Sequence, residues 1–163
     1  MLSRIAEKVP GIIDITPKTE RDRRLVLEFS AKGFPDPFYQ QDMSDGTLKM
    51  LAYLLLMEDP SPAPLIGIEE PENGLHHQLL ATLAQEFKEY ASKARGPQIL
   101  ITTHAPNFVD ALTPEEVWIL DKGSDGFSRL SRAADLKGVR EMFAEGIPMG
   151  SLWYSNHFGI GNP

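Results

Sequence analysis

Residues 65–80 read LIGIEEPENGLHHQLL, and the fold turns on the first six of them. Leu65-Ile66-Gly67-Ile68 is a short apolar run of the kind that forms a buried strand. It ends in Glu69-Glu70, a charged pair that must emerge at the strand's carboxyl edge. His77 to Arg95 then carries Leu79, Leu80, Leu83, Phe87 and Tyr90 on one helical face, with a Glu89/Lys93 pair at i,i+4 on the exposed side. Gly96-Pro97 stops that helix. Gln98 to Thr102 reads as a second buried strand, Pro106 to Leu112 as a short helix and Val117 to Leu120 as a third strand. This alternation predicts an α/β domain with a mainly parallel sheet, helical flanks and right-handed crossovers.

Upstream, Gly11 to Thr16 and Arg24 to Phe29 are rich in bulky and β-branched residues, and PKTERDR between them reads as the connection of an antiparallel hairpin. AKGFPDPFYQQD has no usable period and reads as loop. From Ser44, placed as an N-cap, Leu48, Leu51, Ala52 and Leu55 recur at helical spacing while Met50, Leu54 and Met57 fill the other faces, which predicts a helix buried all round. Pro60, Pro62 and Pro64 forbid its continuation. Downstream, DKGSDG is a turn, Phe127 to Leu130 is suited to return as an antiparallel edge strand, and Ala134 to Ala144 reads as a last helix before the tail GIPMGSLWYSNHFGIGNP. There is no internal repeat and no low-complexity segment. The reading is one domain over residues 1–163, with hairpin and loop over 1–40 and the remainder over 41–163.

The 163 residues carry 16 Lys plus Arg against 23 Asp plus Glu, a net charge of -7, and 42% are hydrophobic. That apolar share is enough for a core and excludes disorder as the main state. With no cysteine, disulfides, thiolate metal sites and a Cys nucleophile are excluded, so any metal must be held by oxygen or imidazole. The longest apolar stretch, Met50 to Met57, falls far short of the roughly 20 residues of a membrane span. Arg4, Glu7 and Lys8 interrupt any apolar run a signal peptide would need, so the expectation is a cytoplasmic protein without membrane insertion. Net negative charge argues against broad charge-driven nucleic-acid binding, although a local basic patch could still contact DNA. Arg21, Arg23 and Arg24 alternate with Glu20 and Asp22, which reads as a solvated hairpin tip. Trp118 and Trp153 read as core or interface packing, not as base-stacking platforms.

In an open α/β sheet, ligands bind at the carboxyl ends of the strands. Glu69, Glu70, Glu72, Asn73 and His76 follow the first parallel strand there, and Thr102, Thr103 and His104 follow the second. Two adjacent carboxylates suit a divalent cation and an attacking water, one holding the metal shell and the other taking a proton. His104 is suited to bond a phosphate oxygen. His76 and His77, as sequence neighbours, are expected on different sides of a helix start and unable to form an HExxH-like zinc pair. Ser44-Asp45-Gly46 opens a helix whose N-terminal N–H groups attract anions, and Gly46 leaves room for close approach.

Taken in order, QQDMSDGTLKMLAYLLL (40–56), LIGIEEPENGLH (65–76) and ILITTHAPNFVD (99–110) resemble three consecutive motifs of ATP-binding-cassette-type ATPases. The likeness is to the AAA-family predicted ATPases related to chromosome-maintenance, recombination-repair and overcoming-lysogenization-defect proteins. It covers Gln40 to Asp110 closely, and the WYSNHFGIGNP ending looks like the tail of such proteins. The resemblance implies a P-loop NTPase-like partial domain that uses ATP and Mg2+. MSDGT matches the signature motif, so Ser44 and Gly46, with Asp45 between them, fall where the γ-phosphate held by the opposite subunit is contacted. LIGIEE matches Walker B, with Glu69 at the Mg2+-associated position and Glu70 at that of the general base. PENGLH matches the D-loop, which makes Asn73 a nucleotide-site candidate, and His104 matches the switch histidine. Two positions depart from the common pattern: Asp45 replaces the first signature Gly, and His76 stands where many cassette ATPases carry the D-loop Asp.

Walker A requires a Gly-Lys step, and none of the 13 glycines is followed by Lys. The chain alone is therefore expected to bind ATP poorly and to represent the carboxyl-terminal half of an ATPase: an excised piece, a shortened gene product or part of a split protein. Its expected partners are ATP, a P-loop-containing half or subunit, and a homo- or hetero-dimer mate joined through nucleotide, with DNA a candidate. Hydrolysis would drive a cycle in DNA repair, phage defence or chromosome handling. Two other classes compete. A non-catalytic module docking on a complete ATPase is favoured by the missing P-loop and opposed by the intact Glu70 and His104. A metal-dependent hydrolase using Glu69, Glu70, Glu72 and His104 without ATP leaves the SDG segment unexplained.

Overall fold

The computed structural model describes residues 5–9 and 11–160, so Arg4 and the last three tail residues lie outside the described residues. The chain forms two compact units, residues 1–64 with 73–75 and residues 65–72 with 76–163.

The first unit contains the expected hairpin, β1 (Ile12–Thr19) antiparallel to β2 (Leu25–Ala31), with Ile15 opposite Phe29 and both buried. At its tip Asp22 pairs with Arg24 and Arg23 takes a left-handed φ of 67°, so the arginine-rich connection is held by its own acids. The segment read as loop is more ordered than its prolines suggest. Phe38–Tyr39 forms a short strand, β3, paired with Glu28 and Phe29, and a single 3-10 turn follows over Gln40–Asp42. The Gln40 side chain accepts the Leu27 N–H at 2.9 Å, a contact between residues 13 positions apart. Helix α1 (Asp45–Leu56) starts where Ser44 predicts it, the Ser44 hydroxyl accepting the Thr47 N–H at 3.1 Å. It buries Gly46, Met50, Leu51 and Leu54 but leaves Ala52 and Leu56 exposed. Apolar residues on every face thus give a helix covered on one side only.

In the second unit β4 (Leu65–Glu69) and β5 (Gln98–Thr102) form a parallel pair in register, Leu65 opposite Gln98 through Glu69 opposite Thr102. Helix α2 (His77–Ala91) connects them and buries Leu80, Leu83, Ala84, Phe87 and Tyr90. It ends before Lys93, whose ammonium sits 5.0 Å from the Tyr90 ring centre, while Glu89 accepts from Gln85; the expected Glu89/Lys93 pair is replaced by these contacts. After the short α3 (Pro106–Val109), β6 (Trp118–Lys122) does not extend the parallel pair. Its hydrogen-bonded neighbour is β7 (Ser128–Arg132), antiparallel across the DKGSDG turn. The short turn between β6 and β7 closes locally, which suits an antiparallel pair and is too short for a parallel one. Trp118 is exposed on that hairpin with the Arg132 guanidinium over its ring, so it is not a core residue.

The helix expected over 134–144 breaks at Gly138, whose φ of 80° is left-handed: a 3-10 turn spans Ala133–Asp135 and α4 spans Val139–Ala144. The tail contributes α5 (Met149–Tyr154), unforeseen from sequence, which seats Met149 and Leu152 in a core with Val109, Ile119, Val139 and Phe158. Gly150 fits against Pro106 because a Cβ there would lie 2.1 Å from the Pro106 carbonyl oxygen. No described helix is long and apolar enough to cross a membrane.

Candidate functional site

The carboxyl edge of the β4–β5 pair gathers Glu69, Glu70, Glu72 and His104. The ladder's last rung is Glu69 opposite Thr102, after which the Glu70 N–H donates to the Thr102 carbonyl at 2.9 Å. Glu70 then turns the chain at φ 40°, a left-handed conformation that costs a non-glycine residue about 1–3 kcal/mol. Pro71, fully buried, forbids resumption of the strand.

His104 is exposed, and its backbone is held from across the edge: its N–H donates to Glu72 Oε1 at 2.6 Å. The other carboxylate oxygen, Oε2, is buried and accepts no hydrogen bond. The Thr103 hydroxyl accepts the Ala105 N–H at 3.1 Å and completes the turn into α3. Glu69 lies on the exposed face of β4. Among the described residues no three His, Asp or Glu converge on one point. That donor set fits Mg2+, which takes one or two protein carboxylates and fills its octahedron with phosphate oxygens and water. It does not fit a protein-built cage.

His76 caps α2, its Nδ1 receiving the Gln78 N–H at 3.4 Å. Its ring lies 4.3 Å from that of His77, which corrects the expectation that the two diverge. A cap residue has extended backbone, so its ring folds back over the first turn rather than following the helical rotation.

In the first unit, the Ser44 hydroxyl caps α1 and lies 2.9 Å from the Thr47 hydroxyl. Either hydroxyl can donate in that second contact, so Ser44 and Thr47 form a small hydrogen-bonded pair at the helix start. Asp45, exposed in the first helical turn, complements the helix dipole and offers an anion no attraction of its own. Gly46 is occupied differently from the expectation: a Cβ there would lie 2.4 Å from the carbonyl oxygen of Gly74, so its missing side chain admits the PENGLH backbone. Gly74 itself turns at φ 79°. Lys49 Nζ donates to the Asn73 carbonyl at 2.8 Å, fixing the main chain of Asn73 beside the helix start. Sequence reasoning missed both Lys49 and the clamp made by Glu72. The Glu72 partner is 32 positions away, and no spacing rule reports a contact of that range.

Solved structures share this fold. One, from work on ATP-driven dimerisation and DNA-stimulated activation of SMC ATPases, matches at 19% identity with a TM-score of 0.62, over 89% of this chain and 86% of that one. An SMC head bound to the C-terminal winged-helix domain of ScpA matches at 20% identity and TM-score 0.57 over 80% of this chain. An SMC head with an extended coiled coil, from Pyrococcus furiosus and bound to the C-terminal domain of ScpA, matches at 20% and 0.58, again over 80%. The chain spans only 41% and 34% of the length of these last two. No curated protein matches the chain. At such identities the likeness is one of fold, that of SMC ATPase heads, and it bears out the P-loop NTPase-like α/β class. A family model for the AAA domain described as putative AbiEii toxin, Type IV TA system, matches residues 3–110, more than half of the chain, and the protein belongs to that ATPase-type family.

Proposed function

We propose that the chain is the signature and Walker B part of a nucleotide-dependent ATPase and acts with a P-loop-bearing half or subunit. The observation that carries the reading is Glu70: a carboxylate held at positive φ on the carboxyl edge of a parallel pair, with the His104 turn tied down beside it. In hydrolysis Glu70 accepts a proton from water as the water oxygen attacks the γ-phosphorus and the bond to the bridging oxygen breaks. The His104 imidazole donates a hydrogen bond to a γ-phosphate oxygen as negative charge gathers there. Glu69 would hold Mg2+, which would supply charge neutralisation at the phosphates. Ser44 and the first-turn N–H groups of α1 address the γ-phosphate held by the opposite subunit, with Asn73 in the neighbouring loop.

The sheet supports the need for a further layer. Parallel sheets occur almost only with both faces covered, yet Leu65 and Leu100 on one face of β4–β5 are 54% and 58% exposed. The ATP-driven dimerisation and DNA-stimulated activation described for SMC ATPases support nucleotide as dimer glue, with DNA as a candidate activator. The family's description, a putative toxin of a Type IV TA system, favours a toxin–antitoxin setting. The same bare face also fits the competing reading, a docking module without catalysis, and turnover separates the two. The test is Mg-ATP hydrolysis by the native assembly, beside the isolated chain and Glu70→Gln. Hydrolysis that Glu70→Gln removes while the ATP-dependent dimer persists supports the reading. Absence of hydrolysis in the unsubstituted assembly overturns it, and hydrolysis indifferent to Glu70 overturns the assignment of the base.

A further inference from the structure

We propose that Glu72 is the positioning residue for His104, acting as a side-chain substitute for a missing rung of the β4–β5 ladder. The regular rungs run from Leu65 opposite Gln98 to Glu69 opposite Thr102, and the Glu70 N–H still reaches the Thr102 carbonyl. Two residues further along β5 the His104 N–H would need an acceptor on a continuing β4. There is none, because Glu70 turns away at φ 40° and the buried Pro71 follows. The Glu72 carboxylate fills the place, accepting the His104 N–H at 2.6 Å. At that distance the carboxylate oxygen is a close acceptor for the amide. It holds the histidine backbone in line with the strand while the imidazole stays exposed.

Glu72 Oε2 is buried without a partner, so the side chain is committed inward and does not simply solvate a turn. The carboxylate therefore serves the geometry of His104 and touches no reacting atom. Its spacing gives the turn a simple logic: Glu70 and Glu72, two apart, answer Thr102 and His104, also two apart. One short segment thus presents the proposed base and fixes the loop of the proposed phosphate sensor.

The kinetic consequence rests on the ATPase reading; the clamp itself does not. Amide hydrogen exchange on the full chain reads the clamp directly. Glu72→Ala should speed exchange at the His104 amide at least about tenfold while Ile101, in the regular ladder, is unchanged. Glu72→Gln keeps an acceptor oxygen and should restore most of the protection. In the native assembly Glu72→Ala should lower kcat for ATP about 10- to 100-fold with KM within about twofold, because a misplaced group loses transition-state contacts more than ground-state binding. Glu72→Gln should recover most of that rate. Unchanged His104 exchange in Glu72→Ala overturns the clamp. Released exchange with unchanged kcat overturns the positioning role. Should Glu72→Ala also unlock the α2 amides, the protein has unfolded and Glu72→Gln decides: wild-type exchange and rate uphold the proposal, wild-type exchange with Ala-like rate overturns it. No turnover in the unsubstituted assembly overturns the ATPase reading, and the exchange result then stands alone for the clamp.

Discussion

The start of α1 and the carboxyl edge of β4–β5 both carry candidate nucleotide-site residues, yet they are built in opposite ways. Ser44 is an ordinary N-cap: its partner Thr47 is three residues away, the backbone is unstrained, and the same sequence would cap a helix in any protein. The strand edge has none of that independence. Glu70 holds a disfavoured backbone angle, and His104 depends on a carboxylate 32 residues distant. A local motif can be read and transplanted; a tertiary one exists only when the two strands are paired. The difference predicts where substitutions damage function and where they damage stability.

The largest expected effect separates chemistry from fold at the strand edge. Glu70→Gln in the native assembly should slow ATP hydrolysis by at least ~100-fold while ATP-dependent dimerisation, followed by size exclusion, is kept. At the helix start the counterpart is Gly46→Ala. Alanine favours a helix, so a purely local motif would gain stability, but the Cβ would meet the Gly74 carbonyl oxygen at 2.4 Å. Loss of about 1–3 kcal/mol in chemical denaturation is expected, and a gain would restore the view that α1 is locally determined. Ser44→Ala should cost about 1 kcal/mol by removing the cap, and Ser44→Arg should in addition block ATP-dependent dimerisation. If Ser44→Arg still dimerises, the phosphate role of Ser44 is lost and the helix start is structural only.

Glu70→Gly gives a smaller effect of opposite sign. Glycine tolerates φ 40°, so relief of strain should raise stability by about 0.5–1 kcal/mol net of its greater unfolded-state entropy, while hydrolysis is abolished. A destabilised Glu70→Gly would mean that the angle is comfortable and that the contrast between the two regions is overdrawn.

The smallest effect is a control away from both. Burial is the largest single influence on Glu116 and opposes its ionisation, but hydrogen bonds from the Thr113 N–H, Lys88 and the Thr113 hydroxyl together hold the carboxyl below its ordinary value. The distances are 2.7 Å, 3.0 Å and 3.1 Å. A depressed carboxyl pKa contributes stability above its unfolded value of about 4.3 and loses it as pH falls through the folded value. Melting temperature against pH should therefore fall less steeply in Glu116→Gln than in the wild type below about pH 4.3, with no effect near neutrality on hydrolysis.

What was legible follows the same division. Strands β4 and β5 and the cap of α1 were read nearly to the residue, because a short apolar run between Pro64 and Pro71, or a Ser before a helical repeat, carries its own boundary. The helix over 134–144 was misread because its apolar pattern runs through Gly138, and a left-handed residue leaves no mark on hydrophobic periodicity. Strand β3 was hidden by the prolines around it, since its pairing with Glu28 and Phe29 outweighs a weak local preference.

By itself the sequence determined the alternation of elements, the location of the acids and His104 at strand ends, and the ordered motifs that place the chain among ATPases. These depend on residue type and short spacing, which are written along the chain. Only the tertiary structure decided that β6 pairs with β7, that Gly46 makes room for the Gly74 carbonyl, and that Glu72 takes the His104 N–H. Each of these is a choice of hydrogen-bond or packing partner, and buried polar groups take whichever partner the folded backbone brings within reach.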